Sequence, residues 1–172
     1  MLVALAFAAA GCGGGTSAEE KWADQVCTPV QTWNTKIRRL IEDAKSAVAS
    51  PGAGTIDRLK ADARKAVSAT HELGNELRSL PPAPGENGQT AKTALTSFAN
   101  QMNETVTALK NGVSALSSSS NASQAARALS AAAGQISTFS TQAKTTIGTI
   151  QQTSSKLKSG FEHADSCKEL RG

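Results

Sequence analysis

Cysteine thiols are the side chains of this chain best suited to chemistry, and there are three: Cys12, Cys27 and Cys167. A thiol can act as a nucleophile, bind a metal, accept an acyl chain or pair with a second thiol, and its surroundings decide which. The only histidines are His71 and His163. His163-Ala-Asp165-Ser-Cys167 gathers three possible metal ligands within five residues. Residues two apart on a helix do not share a face, however, so this spacing makes a poor metal site. His71 precedes Glu72 but has no second His at helical spacing, so the metalloprotease helix pattern is absent. No Gly-x-Ser-x-Gly elbow activates any of the many serines. Glu42-Asp43 and the Asp57/Asp62 pair sit in charge-balanced runs and read as surface ion pairs rather than a general acid and base. These observations lead to the expectation of no catalytic residue, no metal and no cofactor.

Cys12 has a different context. Residues 1–11 are uncharged and apolar, Ala9-Ala-Gly-Cys12 supplies small residues up to the thiol, and Gly13-Gly-Gly-Thr-Ser17 makes a flexible tether after it. The apolar run is far shorter than the ~20 residues a membrane-spanning helix needs. The order resembles the end of a bacterial lipoprotein signal peptide, in which the cysteine becomes the first residue after cleavage and carries acyl chains. Ala9 stands where such signals usually carry Leu, and no Lys or Arg precedes Lys21. Either the true start lies upstream or the signal is degenerate. The alternative is an ordinary cleaved signal with a stray cysteine. On this reading residues 1–11 are the signal, 12–20 the lipidated Cys12 and its tether, and 21–172 a folded domain. The protein would be exported and anchored to the extracytoplasmic face of the cell membrane.

Export makes Cys27 and Cys167 a leftover pair in an oxidising compartment, which reads as a disulfide; the alternative is two free buried thiols. A bridge closing a loop of ~140 residues stabilises by at most about 5 kcal/mol in the chain-entropy model. The domain is long enough for one real core. Aromatics are 3% and Tyr is absent. Ala, Ser, Thr and Gln dominate, which favours helices packed through small residues. The net charge of +4 is unevenly spread: only Lys92, Glu104, Lys110, Arg127 and Lys144 are charged between residues 89 and 155. No Lys/Arg cluster of the kind that binds nucleic acid occurs, so no nucleic-acid partner is expected.

Four periodic apolar runs organise the domain. The first opens on Ser17-Ala-Glu-Glu20, a capping box, and repeats Trp22, Val26, Val30, Trp33, Ile37 and Leu40 on one face. Pro29 should kink or restart it, and Ser50-Pro51-Gly52 should end it. The second starts at Thr55 as cap and runs through Leu59, Val67, Thr70, Leu73 and Leu77 to the Leu80–Gly88 loop. The third carries Leu95, Phe98, Met102, Val106 and Leu109, and the serines at 117–120 close it. The fourth extends from Ala122 through Ile136, Phe139, Ile147, Ile150, Leu157 and Phe161 towards Cys167. The fold expected is all-α, an up-down-up-down bundle of four long helices with the first and last linked by the disulfide. That topology puts Cys27 and Cys167 at one end, so pairing and fold agree. The fourth run, ~46 residues and about 69 Å as one helix, would overhang the ~25 residues and 38 Å of the second. A break is therefore expected between Gly148 and Gly160, at Thr153-Ser-Ser155, unless helices three and four project as a longer hairpin.

Trp22 and Trp33 lie eleven residues apart, nearly on one helix face. Core packing is the plain reading; an aromatic patch contacting a partner or ligand is the sharper one. Trp22-Ala-Asp-Gln-Val-Cys27, Trp33 and the terminal Cys167-Lys-Glu-Leu170 are similar to the ends of small exported helical proteins of actinobacteria, lipoproteins or secreted proteins with one cysteine after an early tryptophan and one at the C-terminus. The resemblance implies the same bundle and disulfide and no particular activity. The functional expectation is a non-enzymatic envelope lipoprotein acting as a binding or adaptor module. Its partners would be the membrane, through the lipid anchor, and another envelope protein. The alternative is a carrier holding an apolar molecule or lipid between its helices.

Overall fold

The computed structural model describes residues 16–50, 52–118 and 122–170. All regular elements among them are helical, and no strand forms. In chain order they are α1 (Ala18–Ala49), α2 (Thr55–Ser79), α3 (Gly88–Ser118), α4 (Ala122–Thr153), α5 (Ser155–His163) and a terminal 3-10 turn, Asp165–Leu170. They form a helical bundle.

Local chemistry sets the ends. Ser17 accepts a hydrogen bond from the Glu20 N–H at 3.0 Å, the first half of the expected capping box. Pro29 neither ends nor restarts α1, which runs for 32 residues. A proline inside a helix removes one hydrogen bond and costs about 3 kcal/mol. Here Val26, Cys27, Val30 and Trp33 on both sides of it are buried on the same core face, which holds the two halves in one helix. Thr55 was expected to cap α2, but that position falls to Gly54, whose φ of 79° suits glycine. Thr55 instead closes the preceding turn: its hydroxyl accepts from the Gly52 N–H at 2.8 Å and donates to the Gly52 carbonyl at 2.9 Å. The Leu80–Gly88 loop is pinned rather than loose. Ala83 N–H donates to the Gly88 carbonyl, and the Lys92 ammonium reaches back to the Arg78 and Leu80 carbonyls at the end of α2.

The break in the fourth run falls where expected. Ser154 is extended, with φ −160° and ψ 136°, and its side chain accepts from the Lys156 N–H to cap α5. The consequence is one correction. Cys167 sits in the terminal 3-10 turn, so the disulfide joins α1 to that turn and not to the fourth long helix.

One level of the core draws on all four long helices. The Trp33 indole N–H donates to Thr70 Oγ1 at 3.0 Å, and Thr70 donates on to the Ala66 carbonyl at 2.8 Å. Phe139 meets Trp33 edge-on at 4.7 Å and stacks with Phe98 at 4.8 Å. A smaller cluster, built on Ala44 and Leu59, joins the end of α1 to the start of α2.

Candidate functional site

The chain's few chemistry-bearing residues converge on one end of the bundle. There α5 and the 3-10 turn fold back over the first turns of α1. Cys27 and Cys167 form a disulfide with Cα atoms 5.1 Å apart, and both residues are fully buried. Asp24 accepts from the Ser166 hydroxyl at 2.5 Å. Trp22 packs edge-on against Phe161 at 5.9 Å and donates its indole N–H to the Pro81 carbonyl at 3.0 Å. Gly160 lies so close to α1 that a Cβ there would fall 2.7 Å from the Glu19 carbonyl carbon. Bridge, hydrogen bond, ring contact and close approach together make a clasp.

Trp22 and Trp33 are both core residues, each 3% exposed with its N–H satisfied. The two indoles therefore pack in the core, as the plain reading has it, and Trp33 also lines a cleft between α1 and α2. The ligand-like trio at the C-terminus is spent in other ways. Cys167 is in the bridge, Asp165 pairs with Lys168 at 2.6 Å, and the His163 Nδ1–H turns back to the Ser159 carbonyl at 2.8 Å. His71 is exposed beside Asn75. Asp57 and Asp62 pair with Lys60 and Lys65 along α2, and the Asp62 hydrogen bond holds the Lys65 ammonium above its ordinary pKa. Among the described residues no group of three His, Cys, Asp or Glu side chains is placed to hold a metal ion. Cys12, with the whole signal-like segment, lies outside the described residues.

A second feature escaped the sequence reading. A groove runs between α1 and α2 from the clasp towards the middle of the bundle. It comprises two adjoining clefts of about 240 and 580 Å³ that share Thr28, Pro29 and Glu76. Pro29, Leu73 and Leu80 give it an apolar floor. Its rim carries Asp24, Glu72 and Glu76 against one base, Lys36, which lies 3.6 Å from Glu72. Because Pro29 has no N–H, the Gln25 carbonyl on the groove wall lacks its helical donor. The available signal was Pro29 itself, flanked by Thr28 and Thr32 in an otherwise regular helical run.

Among the described residues no helix is long and apolar enough to cross a membrane. No protein-family model, curated protein or solved structure matches the chain.

Proposed function

We propose that this chain is a non-enzymatic lipoprotein of the cell envelope, anchored through Cys12 and acting as a binding or adaptor module at the outer face of the membrane. The observation that carries the reading is Ala9-Ala-Gly-Cys12, placed only six residues before the start of α1 at Ala18. Residues 12–17 then serve as the tether, and the clasp end of the domain lies nearest the lipid. The four long helices run up-down-up-down from that end. This carries the turn at 50–55 and the stretch at 117–121, part of which lies outside the described residues, to the distal tip. Two acyl chains on Cys12 would hold the protein stably, where one would be marginal.

The packing is what supports a binding role over a carrier role. The large apolar side chains that would have to line an internal cavity, among them Ile37, Phe139 and Phe161, are packed away in the core. The two clefts between α1 and α2 open to the surface. The deciding experiment is expression in a host that processes bacterial lipoproteins. The wild type should partition with membranes and show an acylated Cys12 by mass spectrometry, and Cys12→Ser should move to the soluble fraction. An unmodified Cys12 in the wild type defeats the reading.

A further inference from the structure

We propose that the α1–α2 groove is a docking site for a basic, partly apolar peptide segment of a partner protein. Charge argues first. The protein is net positive at +4, yet this groove is rimmed by three carboxylates and one lysine. Lys36 already faces Glu72, while Glu76, where the two clefts join, has no ion-pair partner among the described residues. Carboxylates gathered along an apolar floor complement a segment whose Lys or Arg heads reach the rim while their stems and neighbours cover Pro29 and Leu73.

Shape argues next. From Asp24 to Lys36 the groove follows about 18 Å of helix, the length of five or six extended residues. It is open along its side, whereas small-molecule pockets enclose most of their ligand. The Gln25 carbonyl freed by Pro29 is a main-chain acceptor on the wall, ready for a peptide N–H or a guanidinium. The Thr28 and Thr32 hydroxyls stand exposed beside it. A helix that tolerates an internal proline at the wall of its own groove breaks a local rule where binding gives the break a use. Anionic lipid headgroups and nucleic acid would meet the carboxylates unfavourably.

The proposal gives partner chemistry to the binding role above, and its test does not depend on the anchor. Full-chain protein carrying Cys12→Ser is titrated into a fluorescein-labelled decapeptide of alternating Leu and Lys, read by anisotropy. A Leu/Glu decapeptide and free spermidine provide the comparisons. The Leu/Lys peptide should bind and the Leu/Glu peptide should not. Glu72→Lys/Glu76→Lys should weaken binding about tenfold or more, since it turns close attraction into repulsion. Glu42→Lys/Asp43→Lys, an equal charge change further along α1 and outside the groove, should leave binding unchanged. Both pairs are exposed, so circular dichroism melts should match the parent. Absence of peptide binding overturns the proposal, as does equal weakening by both double variants, which would mean diffuse charge attraction. Binding of spermidine without the peptide would also overturn it, assigning the groove to a free polyamine.

Discussion

A buried indole N–H needs an acceptor, and Trp33 finds one in a threonine that is itself fully buried. Thr70 is a satisfied polar link between α1 and α2, not a defect in an apolar stripe. Thr70→Val keeps the shape and deletes the acceptor, leaving the Trp33 N–H buried and unpaired. The expected loss is about 1–3 kcal/mol, measured by urea unfolding. Glycine gives a second comparison at this scale. A Cβ on Gly160 would sit 2.8 Å from the Glu19 carbonyl oxygen, against backbone that cannot rotate aside, while one on Gly148 would meet nothing within 4 Å. Gly160→Ala should therefore destabilise by about 1–3 kcal/mol. Gly148→Ala, in the interior of α4, should stabilise by up to about 1 kcal/mol through helix propensity. Opposite signs in two thermal melts are the expected outcome.

At the scale of elements, the clasp fastens α5 and the 3-10 turn to α1. The disulfide joins residues 140 apart in sequence, and both cysteines are wholly buried. Cys27→Ser/Cys167→Ser should lower the melting temperature clearly, with about 5 kcal/mol as the upper limit of the loss. Hydrogen exchange should show the amides of α5 and the 3-10 turn losing protection before those of α2 and α3, because the bridge ties only the clasp to α1. Much of this could be read from residue types. The pairing followed from two thiols left over once Cys12 is set aside, the cap of α1 from Ser17, and the break from Thr153-Ser-Ser155 between two glycines. What could not be read has physical causes. Periodicity marks which face of a helix is apolar but not which neighbour covers it, so α5 folding back over Trp22 was not foreseen. Pro29 does not restart the helix because the core contacts on both sides of it, which local propensity ignores, hold both halves in one α1. The groove joins residues from two helices more than thirty positions apart in sequence, and no pattern within one run reports such a pairing.

At the scale of the whole molecule, the clasp and the proposed anchor bear on each other. The six residues from Cys12 to Ala18 can reach at most about 20 Å when fully extended. The long axis of α1, at 32 residues, is about 48 Å. If Cys12 is acylated as proposed, a tether shorter than the body it holds would restrict how that body can tumble, keeping the end with residues 80–87 and 155–170 near the headgroups and residues 52–55 distant. Attraction of the clasp end to anionic lipid adds little to this. Lys168 is paired with Asp165 and Lys158 lies 3.9 Å from Glu162, so two of the basic side chains there have carboxylate neighbours. Orientation should therefore follow tether geometry and depend only weakly on salt or lipid charge. The measurement is paramagnetic broadening of amide signals in the acylated protein on vesicles carrying a spin-labelled headgroup. Signals from 80–87 and 155–170 should broaden strongly and those from 52–55 hardly at all, with the same pattern in zwitterionic and anionic vesicles. Uniform broadening would mean that the tether lets the domain lie flat. A pattern that appears only with anionic lipid would mean that surface charge, not the short tether, sets the pose.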